Sequence, residues 1–250
     1  MTSNPNEPVC AVQMLGLMDY QAAWKLQDEI GQAVGEGRQA PALLLLEHPH
    51  TFTMGRKGQA ESLLWDERTR AENDVNLYYV DRGGDVTYHG PGQLVGYPIL
   101  PLATPGWQAE RLPQADYVGY VRKLEKALIL TLLNFGLAGG QIAGKTGVWV
   151  QPDVLSRCPR CLPANRQQPA KIASIGVKVD RNGITRHGFA LNVAPDMHYW
   201  EGIVPCGLQG VHMTSMAELL EDPPEVEAVA EQVIVRFGEV FGYKMVKVHP

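Results

Sequence analysis

The segment KIASIGVKVDRNGITRHGFALNV, residues 171–193, contains two strand-like runs on either side of the four residues DRNG. Asn182-Gly183 is typical of a two-residue type I′ turn, because both residues tolerate a positive φ angle. A hairpin of this kind joins antiparallel strands, so a sheet that contains it is not wholly parallel. The segment therefore favours an α/β fold with mixed, largely antiparallel sheets over a doubly wound parallel sheet.

Other runs complete this prediction. Four more segments have strand-like patterns, LLLLEH (43–48), LYYVD (77–81), LVGYPIL (94–100) and TGVWV (146–150). Apolar residues at helical spacing predict helices that start near Asp19, Tyr117 and Asp222, the last with Pro223 in its first turn. A shorter helix is predicted after Ser215, with Glu218 completing a capping box. We therefore expect helices flanking the sheets.

Bulk composition limits the class of protein. The 250 residues are 45% hydrophobic and 20% charged, which is ordinary for a globular protein and predicts one domain over residues 1–250. The formal charge of −5 argues against a broad nucleic-acid-binding surface. The first residues lack a secretory-signal pattern, and PALLLL and ALILTLL are far shorter than the roughly 20 residues that cross a bilayer. We expect a cytoplasmic protein that binds neither nucleic acid nor membrane.

One segment matches the residue pattern of a nucleotide-binding motif but not its secondary structure. GGQIAGKT, residues 139–146, fits the phosphate-loop pattern G-x-x-x-x-G-K-[ST]. That loop binds phosphate only where a strand enters it and a helix leaves it, since the helix N-terminus supplies the amides. Here a predicted helix enters and a predicted strand leaves. We therefore reject a phosphate loop and predict a turn into a strand.

The four cysteines are too few and too scattered for a disulfide framework. We expect each to be a free thiol, a metal ligand or a nucleophile. Cys158 and Cys161 have C-x-x-C spacing, which suits half a zinc site, a redox pair or a local feature of the loop, and no further zinc ligands are spaced to complete a site. Residues 157–170 are rich in Pro and Arg without periodicity and are predicted to form a surface loop insertion. Cys10 is predicted to be inert.

Two stretches combine backbone freedom with reactive side chains. RGGDVTYHGPGQ, residues 82–93, places four glycines beside Arg82 and His89, where a short turn between strands would suffice. VPCGL, residues 204–208, holds Cys206 between Pro205 and Gly207 on a predicted turn. A lone cysteine is more often a small buried apolar residue than a nucleophile.

These segments together resemble the lipoyl(octanoyl) transferase family. The resemblance rests on RGGDVTYHGPGQLVGYP (82–98), GKTGVWV (144–150), KIASIGVKV (171–179), HGFALNV (187–193) and VPCGL, with LLLEHPHTFTMGR (44–56) before them. The matches follow the family's order across nearly all of residues 43–220. The resemblance implies the mixed-sheet α/β fold of biotin and lipoate protein ligases. It also implies an acyltransferase of lipoate biosynthesis, without metal or cofactor.

The resemblance also assigns site residues. It implies that Cys206 is the acyl-thioester nucleophile and that Lys171 lowers its pKa. The implied substrate-binding residues are Arg82, Gly83, Gly84, Asp85, Val86, Thr87, Tyr88, His89, Ser174, Ile175, Gly176, Gly188, Phe189 and Ala190. The implied donor is octanoyl-acyl carrier protein. The implied acceptors are the lipoyl domains of 2-oxoacid dehydrogenase E2 subunits and the glycine cleavage H protein.

The residue chemistry fits these assignments. A free cysteine has a pKa near 8.5, so a neighbouring ammonium group raises its thiolate fraction at neutral pH. Lys171 is also our candidate for the base that accepts a proton from the attacking amine. Because the two residues are far apart in sequence, only the fold can bring them together. We expect them within hydrogen-bond or ion-pair reach.

Purely structural roles for these residues, and other functions for the whole chain, stay open at this point. His89 could orient the loop without touching substrate, and Arg82 could anchor it by an ion pair. His50, Arg56 and His187 could lie on a pocket rim or simply carry surface charge. The whole chain could instead be an ATP-dependent lipoate–protein ligase, a thioesterase, or a non-catalytic module that binds acyl carriers or lipoyl domains. The cysteine of VPCGL favours the transferase, since a ligase that uses ATP needs no nucleophilic thiol.

Overall fold

A computed structural model describes residues 8–102, 116–158, 160–161, 163–205 and 210–248. The strands within these ranges are β1 (Val9–Leu17), β2 (Ala42–Glu47), β3 (Thr51–Met54), β4 (Asn76–Tyr79), β5 (Val86–His89), β6 (Gln93–Ile99), β7 (Gly139–Ile142), β8 (Lys145–Val150), β9 (Ala170–Val179), β10 (Thr185–Asn192), β11 (His212–Met213) and β12 (Lys244–Lys247). The α-helices are α1 (Tyr20–Gly35), α2 (Glu67–Glu72), α3 (Tyr117–Asn134), α4 (Pro152–Leu155), α5 (Met216–Leu219) and α6 (Val226–Phe241). Short 3₁₀ helices span Ala60–Ser62, Pro163–Gln167 and Met197–Gly202. In these ranges no helix is both long and apolar enough to span a membrane.

The main sheet is mixed, as the sequence predicts. Its strands run in the order β12-β1-β2-β6-β10-β9-β8-β7, and β11 pairs with β9. β1 pairs in parallel with β12 and with β2, whereas the β2–β6–β10–β9–β8–β7 pairings are antiparallel. A second sheet has the order β4-β3-β5. The predicted mixed α/β fold is confirmed.

The main sheet buries both faces, which explains the continuous apolar run in β2. Leu43 and Leu45 join the core cluster formed with α3 and α6. Leu44 and Leu46 point the opposite way, into the cluster formed with α1. Successive side chains of a strand alternate between faces, so a strand covered on both sides is apolar throughout. The sheet is thus the middle layer between α1 and the α3–α6 pair.

The smaller sheet corrects one sequence expectation. The glycine-rich stretch 82–93 is not loop throughout, because Val86–His89 forms β5 and pairs antiparallel with β3. Val86 and Tyr88 belong to the core of this small sheet, together with Phe52 and Trp200. Four residues in strand conformation are too short to stand out against flanking glycines and proline. The pairing fixes where Arg82 and His89 lie.

The predicted β9–β10 hairpin is confirmed, although its turn type differs. Thr185 pairs with Val179, and the Gly183 amide donates to the Asp180 carbonyl oxygen at 3.0 Å. Within residues 180–184 positive φ occurs at Gly183 alone, at 77°. A type I′ turn needs positive φ at both central residues, so Asn182-Gly183 belongs instead to a type I turn followed by a left-handed glycine.

Most predicted helices start where their caps indicate. Asp19 caps α1, and Ser215 with Glu218 forms the complete capping box of α5. α6 begins at Val226, later than the predicted start at Asp222. The residue before a proline avoids the helical region, so Pro223, which precedes Pro224, cannot open a regular helix.

The structure corrects our expectation for the C-x-x-C pair. Cys158 and Cys161 are joined by a disulfide with their Cα atoms 5.5 Å apart, so neither is the free thiol, metal ligand or nucleophile that we expected. Both are buried, at 2% and 9% exposure, and belong to the core cluster that includes Leu155 and Leu219. The segment 157–170 is therefore only partly a surface loop, because the apolar disulfide packs inward.

The rejected phosphate-loop match forms a β-hairpin. β7 and β8 pair antiparallel on either side of Gly144, which has a φ of 77°. A strand follows the loop where nucleotide binding would need a helix. The predicted strand after the loop is confirmed, whereas the predicted entry by a helix is wrong, because β7 precedes the loop.

A close approach between β6 and β10 generates a stability prediction. A Cβ atom at Gly96 would lie 2.1 Å from Cζ of Phe189, so Gly96→Ala forces the buried ring to shift. We expect the variant to lose about 1–3 kcal/mol of unfolding free energy in urea titrations. Gly140→Ala is the matched control, since a Cβ atom there meets nothing within 4 Å. Equal stabilities of the two variants would contradict this account of the contact.

Candidate functional site

The site forms where β8 separates from β9. Their pairing ends at Val148 and Ala173, and β9 continues to Val179 without β8 beside it. The Gly147 amide instead donates to a carboxylate oxygen of Glu125 in α3 at 2.9 Å. The glycine-rich loop after β4 occupies the vacated edge, with the Gly83 amide donating to the Val177 carbonyl oxygen at 3.0 Å. This arrangement opens cavities on both sides of the loop.

The inner cavity is a narrow space of about 50 Å³ between β5, β9 and β10. It collects nearly all of the predicted substrate-binding residues. The lining residues are Tyr20, Arg82, Gly83, Gly84, Asp85, Val86, Thr87, His89, Tyr97, Ser174, Ile175, Gly176, His187, Gly188, Phe189 and Ala190. Two parts of the sequence that are about 90 residues apart thus meet because β10 lies between β6 and β9 in the sheet.

Three buried polar atoms of this cavity have no hydrogen-bond partner within the described residues. They are Oγ1 of Thr87, Oγ of Ser174 and Nδ1 of His187. A buried polar atom without a partner costs about 1–3 kcal/mol, so natural proteins supply such atoms with water or a ligand. These atoms make part of the cavity wall polar, and bound water or a ligand can satisfy them.

Arg82 and Asp85 shape the loop from within. Nη2 of Arg82 donates to the carbonyl oxygen of Thr53 at 2.6 Å and to its Oγ1 at 2.8 Å. Asp85 accepts from the Gln59 amide at 3.2 Å and from Oγ of Ser62 at 2.7 Å. The structure therefore gives both residues an anchoring role, in which Arg82 is held by hydrogen bonds to Thr53.

A hydrogen-bonded chain lies behind the cavity at its inner end. The Met18 carbonyl oxygen can only accept, so Nδ1 of His48 donates to it at 2.7 Å. Burial lowers the pKa of His48 to about 4, against a weaker opposing effect of this hydrogen bond. The neutral ring then accepts at Nε2 from the Tyr97 hydroxyl, at 2.7 Å. Burial likewise raises the pKa of Tyr20 to about 12, so this end of the cavity carries no charge.

His89 and His187 are also held neutral. Nδ1 of His89 lies 2.8 Å from Oε1 of Gln93, whose amide nitrogen donates to Asn192 at 2.9 Å. Nε2 of His187 donates to Asp81 at 2.9 Å, and this hydrogen bond lowers the pKa of Asp81. Burial lowers the pKa of both histidines. The rings of both histidines are therefore neutral, although the ionised carboxylate of Asp81 lies beside His187.

The outer cavity, of about 510 Å³, adjoins the inner one. It contains Lys171, which is 3% exposed and holds its ammonium group 5.5 Å from the centre of the Trp149 ring. The lining residues are Lys57, Gln59, Gly83, Gly84, Asp85, Val121, Gly144, Lys145, Thr146, Lys171, Ile175, Gly176 and Val177. Gly83, Gly84, Asp85, Ile175 and Gly176 line both cavities and therefore form the boundary between them.

Tyr88 and His50 face away from both cavities. The Tyr88 hydroxyl lies 3.0 Å from Nδ1 of His50, and both rings stack on Tyr199. Alternation along β5 explains this placement, since Thr87 and His89 point to one face and Tyr88 to the other. The Tyr88 side chain therefore lines neither cavity, and a role of Tyr88 in substrate binding stays a prediction.

Cys206, Gly207, Leu208 and Gln209 lie outside the described residues, and the predicted proximity of Cys206 to Lys171 stays a prediction. The chain is fixed on both sides of this segment. The Val204 amide donates to the Ser62 carbonyl oxygen at 2.8 Å, and Met213 pairs with Lys171 itself. The connection that contains Cys206 therefore ends on the strand that carries Lys171.

The sequence pointed to most of this cavity but missed Tyr20, Tyr97 and His48. Each lies in a predicted helix or strand at a position that otherwise suits an apolar residue. A tyrosine or histidine within such a buried pattern is the available signal, because its polar atoms need partners inside the protein. Among the described residues, no group of three or more His, Cys, Asp or Glu side chains is placed to hold a metal ion.

Comparison with known sequences gives a consistent result. A family model described as the lipoyl protein ligase A/B catalytic domain matches residues 19–238. A protein named octanoyltransferase from Chloroflexus aurantiacus is 41% identical over 230 residues, covering 92% of this chain and 93% of the relative. An octanoyltransferase from Acidobacterium capsulatum is 42% identical over 233 residues, covering 92% and 89%.

Solved structures support the fold. A bi-partite lipoate protein ligase from Thermoplasma acidophilum, analysed with its E2 lipoyl domain, has a TM-score of 0.69 at 15% identity and covers 97% of this chain and 88% of its own. A lipoate-protein ligase A bound with ATP has a TM-score of 0.66 at 14% identity, covering 98% and 89%. At such identities the likeness extends to the fold alone.

The buried neutral histidines predict acid sensitivity. His48 has a lowered pKa in the folded state, so between about pH 6.5 and pH 4 the unfolded state binds more protons. Its contribution to stability is complete above this window and falls by about 3 kcal/mol as the pH drops through it. We expect urea titrations to show this slope, and His48→Gln to reduce it.

His198→Gln is the matched control, because His198 is exposed beside Glu201. We expect this variant to keep the wild-type slope. A His48→Gln slope equal to that of the wild type would show that another group causes the acid sensitivity.

Proposed function

Because this chain belongs to the lipoyl protein ligase A/B catalytic-domain family and is an octanoyltransferase of protein lipoylation, we propose how its cavities divide the reaction. The outer cavity receives the thioester of octanoyl-acyl carrier protein, and the inner cavity holds the acyl chain. Cys206 takes the octanoyl group as a thioester and passes it to a lysine amine of a lipoyl domain. Lys171 transfers protons in both steps.

One observation carries this proposal, namely that Lys171 and the uncharged inner end lie at opposite ends of two adjoining cavities. Gly176 lies five residues beyond Lys171 on β9, which is about 16 Å along the strand. Ile175 on β9 pairs with Phe189 on β10, and Phe189 pairs with Gly96 on β6. Gly96, and Tyr97 after it, therefore lie two strands away from Ile175, which is about 10 Å across the sheet. This span is longer than an extended octanoyl chain, so the chain occupies its inner part, with its methyl end directed toward Tyr97 and its carbonyl group toward the ammonium group that Lys171 places in the outer cavity.

The first step needs a thiolate. The Cys206 thiolate attacks the thioester carbonyl carbon, a new carbon–sulfur bond forms, and the carrier's sulfur leaves with the electrons of the bond that breaks. An ammonium group at Lys171 stabilises the attacking thiolate and can donate a proton to the departing one. The step exchanges one thioester for another, so no ATP is consumed.

The second step needs a neutral amine. The acceptor's ε-amino group attacks the Cys206 thioester, a carbon–nitrogen bond forms, and the Cys206 sulfur leaves. The amine loses one proton, which the now neutral Lys171 accepts. The narrow inner cavity keeps water from the acyl chain, which limits hydrolysis of the thioester.

The proposed acceptors are the lipoyl domains of 2-oxoacid dehydrogenase E2 subunits and the glycine cleavage H protein. Their lysine must reach Cys206, and the segment bearing Cys206 connects the region beside Ser62 to β11 next to Lys171. The fold relative from Thermoplasma acidophilum was analysed with an E2 lipoyl domain, which supports the same class of acceptor.

Transfer from octanoyl-carrier protein to an apo lipoyl domain, without ATP, tests the proposal by intact mass. We expect the wild type to gain one octanoyl group with the donor alone and to lose it when the acceptor is added. Cys206→Ser should abolish transfer, because an alcohol is scarcely ionised at neutral pH. Lys171→Ala should lose at least about 100-fold in rate and move its pH optimum upward.

Cys10→Ala is the matched control for the cysteine. Cys10 is fully buried, and burial raises the pKa of its thiol to about 12, so it should stay unacylated. Acylation of Cys10 in place of Cys206, or a Cys206→Ser variant as active as the wild type, would refute the proposed intermediate. A requirement for ATP with free octanoate would favour a ligase.

A further inference from the structure

The outer cavity carries a local positive charge. Among the described residues, three lysines line it, Lys57, Lys145 and Lys171, and one carboxylate, that of Asp85. Both oxygens of that carboxylate accept hydrogen bonds from the neighbouring segment 59–62. The whole chain has a formal charge of −5, so this cavity differs in sign from the protein around it. A cavity of one charge within a protein of the other attracts ligands of opposite charge.

Two of these lysines lie at the solvent-exposed rim. Lys57 follows β3, and its backbone amide donates to the Gly84 carbonyl oxygen at 3.0 Å. Lys145 begins β8 on the other side of the opening. Both side chains are exposed, and neither ammonium group has a carboxylate partner among the described residues. The ammonium groups of Lys145 and Lys171 lie 5.3 Å and 5.5 Å from the centre of the same Trp149 ring.

Like charges around one opening repel each other unless an anion binds between them. The rejected phosphate-loop match contributes Gly144, Lys145 and Thr146 to this rim, as the tip of a hairpin. A hairpin tip cannot surround a triphosphate with helix amides, but its exposed ammonium and hydroxyl groups can contact a single phosphate. The arrangement thus suits one anionic group at the mouth of a deeper cavity.

We propose that Lys57 and Lys145 bind the phosphodiester of the 4′-phosphopantetheine arm that presents the thioester. This inference rests on the proposed carrier-protein donor. The arm enters through the outer cavity, since the thioester has to reach Lys171 and the inner cavity beyond it. Its phosphodiester remains at the rim between the two lysines, and electrostatic attraction there raises the rate of productive encounter.

Three donors separate the possible contacts. Octanoyl-pantetheine lacks the phosphate, octanoyl-4′-phosphopantetheine has the phosphate without a protein, and octanoyl-carrier protein has both. The enzyme variants are Lys57→Gln, Lys145→Gln and the double variant. Lys25→Gln removes the same charge from a residue that is 79% exposed on α1, and serves as the control. Each combination is measured as kcat/KM for transfer to an apo lipoyl domain.

For the double variant we expect kcat/KM to fall about tenfold with both phosphate-bearing donors, mainly through KM, and by less than about twofold with octanoyl-pantetheine. The wild type should also lose more activity than the double variant when salt is raised with a phosphate-bearing donor. Lys25→Gln should behave as the wild type with all three donors.

Three results would overturn the inference. An equal loss with all donors would place the lysines in the catalytic centre or the fold, and no loss with any donor would remove them from binding. A loss confined to octanoyl-carrier protein would assign them to the carrier's protein surface rather than the phosphate. Wild-type transfer from octanoyl-pantetheine tests the proposed function separately, because that donor does not use the phosphate contact.

Discussion

The whole site depends on the separation of β8 from β9 at Gly147. Continued pairing would cover the outer edge of β9 and leave no space for the loop that contains Gly83. The buried carboxylate of Glu125 prevents this, because it accepts the Gly147 amide proton at 2.9 Å and is paired with Arg122 at 2.6 Å. An amide that bonds to a side chain on α3 cannot also bond to the neighbouring strand. A single helix residue thus converts a sheet edge into the wall of two cavities.

The two cavities differ in charge, and the difference matches the division of labour proposed for them. Around the inner cavity, burial lowers the pKa of His48, His89 and His187, so their rings are neutral and suit an uncharged acyl chain. Around the outer cavity the lysines provide positive charge where the reacting thioester and amine are proposed to bind. Residues 83–85 and 175–176 line both cavities and separate these environments over a short distance. The acyl chain can therefore bind beside neutral rings while proton transfer takes place beside the lysines.

The sequence predicted the parts of the fold that depend on local pattern. The hairpin after Val179, the helix start at Asp19, the capping box at Ser215 and the strand after residue 144 follow from neighbouring residues, whereas β7 was not predicted. The sequence failed where distant contacts decide. Nothing near Cys158 and Cys161 indicates that their disulfide packs into the core, and nothing near Tyr97 shows that its hydroxyl bonds to His48, 49 residues away. The motif resemblance found the cavity residues, but alternation along β5 set the direction of Tyr88.

The strand pairing brings the chain on the C-terminal side of Cys206 next to Lys171. The chain that leads away from residue 206 reaches β11, where Met213 pairs with Lys171 and the Thr214 amide donates to the Lys171 carbonyl oxygen at 3.0 Å. The Thr214 carbonyl oxygen in turn accepts from Asn192 at 2.9 Å, and Asn192 is bonded through Gln93 to His89 of the inner cavity. One hydrogen-bonded path therefore fixes the strand bearing the proposed base, the exit of the proposed nucleophile's segment and a wall of the acyl cavity. Because these elements share their anchors, a shift in one of them disturbs the alignment of all three.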